Sequence, residues 1–235
     1  MTLTTYAVAK AKVLRDLDLE DEVFIQSQEM LDYFNEALRE ACAEVLAIYE
    51  DYFLDKEYLA LTQGQSEYDL PTGIYANKIR AIIYDQNGQG TLVYEIKRIR
   101  DSKRFLSRSL LRSSQITDYY QYIITNNSAS GRKIELSPSS RETSSQNVTV
   151  WFIRNVDPIV DTTDYVDKDI PESLNFIYAF VKGKCKQKEA GGEMPPDALR
   201  EIEQQRKLLV ETLTTMVPDD DNKVEMDTSF YDEMS

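Results

Sequence analysis

The side chains that do most protein chemistry are scarce in this sequence. Among its 235 residues there is no histidine. That removes Ser-His-Asp and Cys-His nucleophile pairs, histidine-ligated metals and the commonest general base. Gly183-Lys184 lacks the upstream glycine of a phosphate-binding P-loop. Gly88-Gln89-Gly90 lacks the third glycine and the following helix of a dinucleotide fingerprint. Asp219-Asp220-Asp221-Asn222-Lys223 has the opening of a calcium loop, but no glycine follows at its sixth position and Phe230 stands where the closing glutamate belongs. Carboxylates are plentiful, yet they lie beside Lys and Arg on helix faces, the pattern of a solvated surface. The expectation is a chain with no catalytic residues, no metal and no cofactor: not an enzyme.

Two charged segments carry the positive signal. Lys97, Arg98, Arg100, Lys103, Arg104, Arg108 and Arg112 are interrupted only by Asp101, a net charge of +6 over residues 97–112. The chain as a whole has 27 Lys and Arg against 41 Asp and Glu, a net −14. A general nucleic-acid binder is therefore disfavoured, while a local surface for phosphate or an acidic partner stays open. A solvated connection that offsets nearby acids explains the same run. The second segment, residues 219–235, has seven acids against Lys223. Val224, Met226, Phe230, Tyr231 and Met234 are spaced among those acids. Self-repulsion and few apolar groups predict a tail disordered in the free subunit. The spaced apolar residues suit docking onto a complementary partner.

Elements that could position these segments follow from periodicity. The spacing predicts helices over residues 6–16, 28–53, 171–189 and 196–216. In the second, Met30, Leu31, Phe34, Leu38, Ala41, Val45, Leu46, Tyr49 and Tyr52 form one stripe from about Ser27 to Phe53, a rod of roughly 40 Å capped by Ser27. Thr4 or Thr5 would cap the first helix. Pro171 starts the third, with Leu174, Ile177, Tyr178, Val181 and Cys185 on its face. The fourth presents Leu199, Ile202, Leu209, Leu213 and Met216. Between them, residues 57–155 alternate as strands. Lys78–Tyr84 with Thr91–Ile96, and Tyr119–Thr125 with Lys133–Leu136, flank turn-rich sequences that predict two hairpins. Val148–Arg154 is apolar on both faces and belongs at the centre of a sheet. Tyr119, Tyr120 and Tyr122 suit either sheet packing or an interface.

The fold class expected is α+β: a helical bundle from the N- and C-terminal helices with an inserted antiparallel β domain. Its parts would be a discontinuous helical domain (1–56 and 165–217), the β insert (57–155) and the acidic tail (218–235). Cys42 and Cys185 fall in helical patterns and read as buried free thiols of a reducing compartment. No secretory signal or apolar run long enough for a bilayer is visible, so a soluble protein without membrane contact is expected.

This order of elements resembles the head-to-tail adaptor (connector, or neck) proteins of tailed bacteriophages. The resemblance rests on the helix through Gln28-Glu29-Met30-Leu31-Asp32-Tyr33-Phe34-Asn35-Glu36-Ala37-Leu38, the strand Tyr58-Leu59-Ala60-Leu61, the sheet entry Tyr68-Asp69-Leu70-Pro71, and Ile170-Pro171-Glu172-Ser173-Leu174 with Tyr178-Ala179. It covers about residues 1–190. It implies a non-enzymatic virion protein forming a homo-oligomeric ring, a dodecamer, beneath the portal protein. Such a ring joins capsid to tail or further neck proteins and surrounds the channel for genomic DNA. It would reside in the neck of the virion after assembly in host cytoplasm. Lys97–Arg112 would then meet the channel or an acidic partner, and Val224–Met234 the portal or a neighbouring subunit. Another neck or tail-tube component, or a non-viral cytosolic interaction module, fits the same residues. The helix from Pro196 and the long acidic tail exceed a minimal adaptor.

Overall fold

The computed structural model describes residues 3–19, 24–86, 90, 93–99, 120–127 and 131–216. The fold is α+β. Among the described residues, helices α1 (Tyr6–Asp16) and α2 (Ser27–Ile48) precede eight strands, and α3 (Leu174–Glu189) and α4 (Pro196–Met216) follow them. By backbone proximity the chain divides into two compact units, one within Met1–Tyr49 and Pro158–Ser235, the other within Glu50–Asp157.

In the helical unit α3 is central. Phe176, Ile177, Tyr178, Ala179, Phe180, Val181, Gly183 and Cys185 are all buried, so the helix is apolar around most of its circumference rather than along one stripe. Helices α1, α2 and α4 all pack on it. Every second residue from Lys182 to Lys188 is a lysine, and the four splay to alternate sides. Lys182 and Lys186 reach Glu201 (3.0 Å) and Asp197 (3.2 Å) of α4. Lys184 reaches Glu36 of α2 at 2.7 Å, and Lys188 pairs with Glu29. These pairs are half-exposed and contribute about 0–1 kcal/mol each. They fix register more than they stabilise.

Three helix details differ from expectation. Helix α2 stops at Ile48, before the Tyr49 and Tyr52 that extended its stripe, because Tyr49 takes extended dihedrals (φ −130°, ψ 91°). Just beyond, Glu50 and Asp51 take Lys78 and Arg80 as partners, with Arg80 at 2.7 and 2.6 Å from the two carboxylates. Leu54 then opens the first strand. Second, neither Ser27 nor Thr5 caps by its side chain. The first turn of α1 instead donates Tyr6 N–H to Asp164 O (2.7 Å) and Ala7 N–H to Thr162 O (3.1 Å). Third, α4 buries Ala198, Ile202, Leu209 and Leu213, while Leu199 and Met216 are 47% and 46% exposed. The four buried positions recur at spacings of four, seven and four, one face of a 3.6-residue helix. Leu199 and Met216 point off that line.

The described residues of the β unit form two four-stranded sheets. Strands β1 (Leu54–Leu61), β8 (Ser144–Arg154), β3 (Ile74–Asp85) and β4 (Val93–Glu95) form the first, in that order. Strands β2 (Glu67–Asp69), β7 (Gly131–Ser137), β6 (Gln121–Asn127) and β5 (Lys97–Arg98) form the second. As its two apolar faces require, β8 lies inside the first sheet, antiparallel to β1 and β3. Both expected hairpins form, with Tyr84 opposite Tyr94 and Ile124 opposite Ile134. The facing sides share one core, in which Ile82, Tyr84, Val148, Val150 and Phe152 of the first sheet meet Tyr68, Tyr122, Ile134 and Leu136 of the second. Tyr120 and Tyr122 are buried there, so sheet packing claims them and the interface reading does not.

Candidate interaction surfaces

The chain passes from the first sheet to the second between two buried isoleucines. Ile96 N–H donates to Ile82 O at 2.7 Å and Ile99 N–H donates to Tyr122 O at 2.8 Å. Between these anchors Lys97 and Arg98 form β5, parallel to β6, with Lys97 opposite Gln121 and Arg98 opposite Tyr122. Both side chains are exposed on an edge strand. Burial pushes the Tyr122 hydroxyl above the usual phenol range, and the Arg98 charge opposes that shift. Arg98 thus lies close enough to the Tyr122 ring to act on it, with its charge outside the core. Arg100, Lys103, Arg104, Arg108 and Arg112 lie outside the described residues, as do Val224, Met226, Phe230, Tyr231 and Met234. The structure therefore holds the first two basic residues at a sheet edge.

A second surface lies wholly in the helical unit. An open groove of about 460 Å³ runs between α1, α2 and the loop at residues 160–162. Its apolar lining comes from Ala7, Ala11 and Leu14 of α1, Leu31 of α2, and Val160. Val160 is 76% exposed. Two side chains shape that loop. Asn35 of α2 donates to Ile159 O (3.0 Å) and accepts from Ile159 N–H (2.8 Å). Asp164 accepts from the N–H groups of Val160 and Asp161, both at 2.8 Å, and these donors hold its carboxyl below the usual range. At the rim, Lys10 donates to Ser27 Oγ at 2.9 Å. Residues far apart in sequence build this groove, so periodicity missed it. The one signal was the pair of alanines a turn apart on α1.

The described residues hold no group of three or more Cys, Asp or Glu side chains that could bind a metal. Cys42 and Cys185 are both buried, and neither is in a disulfide. None of the described helices is long and apolar enough to cross a membrane. The family model described as SU10 adaptor protein matches residues 4–222. The chain belongs to the SU10 adaptor protein family. No curated protein sequence matches it. The family is one of phage structural adaptors rather than enzymes, which agrees with the head-to-tail adaptor resemblance of the sequence. The match also takes in α4, which lay beyond the span of that resemblance. As an SU10 adaptor the protein is a virion component that binds other head or tail components.

Proposed function

We propose that this SU10 adaptor forms a ring, a dodecamer, beneath the portal protein, joins the capsid to the tail or further neck proteins, and surrounds the channel through which genomic DNA passes. The observation that carries the reading is the family match over nearly the whole chain, residues 4–222. In this reading the discontinuous helical domain and the β insert are separate working parts. The basic run that begins at the exposed Lys97 and Arg98 faces either the channel or an acidic surface of a partner. Contact with DNA there is non-specific and weak, since each neutralised phosphate adds salt-sensitive affinity and many firm contacts around a ring would stall a moving genome. The acidic segment after Met216 docks on a neighbour. The protein assembles in the host cytoplasm and ends in the neck.

The test is genetic. A phage lacking this chain should accumulate DNA-filled heads and separate tails, visible by electron microscopy, and the wild-type chain added to the extract should join them. Normal virions without the chain would overturn the proposal. So would heads blocked before packaging, because that places the protein in another step.

A further inference from the structure

The chain passes between its two compact units at two points, Tyr49–Glu50 and Asp157–Pro158. On the β side both points are tied down within the β unit. Lys78 and Arg80 hold Glu50 and Asp51, and Leu54 N–H donates to Asp51 O at 3.0 Å. At the other end Arg154 N–H donates to Phe53 O at 3.0 Å, and Asn155 N–H donates to Gly73 O at 2.7 Å. Leu54 also stands opposite Ile153 in the β1–β8 ladder. The β unit therefore begins and ends on neighbouring strands, about 5 Å apart. On the helical side Tyr49 N–H donates to Val45 O at 2.8 Å, and Asn35 holds both backbone groups of Ile159.

Each unit also closes a core of its own. The β core draws on residues 59–152. In the helical unit Tyr6 of α1 meets Phe34 of α2 edge-on at 5.3 Å. Phe176 and Phe180 of α3 pack 6.1 Å apart, and Leu213 of α4 is buried.

We propose that the two units unfold as separate cooperative bodies, so that either can open while the other keeps its fold. Compact units joined by short exposed crossings behave as domains, and native proteins open in contiguous cooperative pieces of this size and smaller. Opening of the insert leaves the two halves of the helical unit joined by a long loop. The cost of closing such a loop grows only with the logarithm of its length, so the helical core survives it. Opening of the helical unit leaves the β unit with its ends still paired through Leu54 and Ile153. The helical and β surfaces can thus answer to different partners, and a partner that loosens one does not dissolve the other. This holds for a single copy, inside a ring or outside it.

The sequence supplies a reporter for each unit. Trp151 is the one tryptophan of the chain and lies in β8. The two cysteines, Cys42 and Cys185, lie in α2 and α3. The experiment unfolds the full chain in urea at one fixed concentration, reading Trp151 fluorescence and pulsed thiol labelling on the same samples. Two distinct midpoints are expected. Ile82→Val, at a fully buried β-core position, should lower the tryptophan midpoint by roughly 0.3–1 M and leave the thiol midpoint in place. Ile177→Val, fully buried in α3, should lower the thiol midpoint by a similar amount and leave the tryptophan midpoint in place. Midpoints that coincide in the wild-type chain overturn the proposal. So does either substitution moving both midpoints, the other unit's midpoint, or neither.

Discussion

Gly183 of α3 lies against Ile202 of α4, and one methyl group tests that seam. A Cβ added there would stand 2.7 Å from Ile202 Cδ1 and 3.4 Å from Met194 Sδ. Optimal carbon–carbon contact is about 3.5–4.0 Å, so the first distance is a clash. Alanine is worth about 1 kcal/mol over glycine inside a helix, while overpacking costs about 1–3 kcal/mol. Gly183→Ala should therefore destabilise by about 0–2 kcal/mol, helix propensity offsetting part of the clash. Ile202→Val deletes the offending Cδ1 at a cost of about 0.5–1.5 kcal/mol. In that background the nearest remaining atoms are Met194 Sδ at 3.4 Å and Ile202 Cγ1 at 3.6 Å. Both are tolerable, and Gly183→Ala should become stabilising by about 0.5–1 kcal/mol. Urea denaturation followed by circular dichroism of the four proteins closes the cycle. The reasoning predicts an interaction of about 1–2 kcal/mol, above the roughly 0.3–0.5 kcal/mol within which independent changes add. Additivity would mean that α4 does not cross α3 at Gly183, and the account of the bundle would fail.

Burial pushes the Cys185 thiol up to about 12. A raised value contributes stability that is complete below the ordinary thiol value near 9 and is lost as pH rises toward 12. A thiol reagent at pH 8 should accordingly modify Cys185 only on unfolding, and rapid modification of the native chain contradicts its burial. The hydrogen bond from Lys188 holds the Glu29 carboxyl below its usual range, so its contribution is present above that range and disappears as pH falls through the lowered value. With both side chains 31% exposed the pair is worth at most about 1 kcal/mol. Lys188→Met should flatten the acid side of a stability-against-pH curve, and an unchanged curve rejects the pairing. Lys97→Glu with Arg98→Glu alters only exposed edge positions, so the melting temperature should hold while assembly becomes less sensitive to salt. A large drop in melting temperature would show that these side chains belong to the fold.

The sequence made the local elements legible wherever one period dominated. Helix α1 runs over the expected residues, both hairpins form at their glycine-bearing turns, and β8 sits inside its sheet. Legibility failed where a distant partner decided the outcome. The stripe through Tyr49 and Tyr52 continued the helical period, but Lys78 and Arg80 hold Glu50 and Asp51 beside the start of β1. Alternation cannot say which strands pair, so the split into two sheets and the parallel β5–β6 pair were hidden. The leucines of α4 were assigned by residue type, whereas geometry buried Ala198 and left Leu199 outside. For the surfaces, composition exposed the two charged segments at once. The groove stayed invisible because it needs α1, α2 and Val160 together.

The central claim is that this chain assembles as a ring on the portal. Native mass spectrometry of the chain mixed with the portal protein from the same genome tests it directly. The account predicts one dominant complex, heavier than the portal by a fixed multiple of the 27.1 kDa chain mass, with the same multiple at every excess of chain. Portal and chain flying apart, or a ladder of increments that grows with concentration, would contradict it.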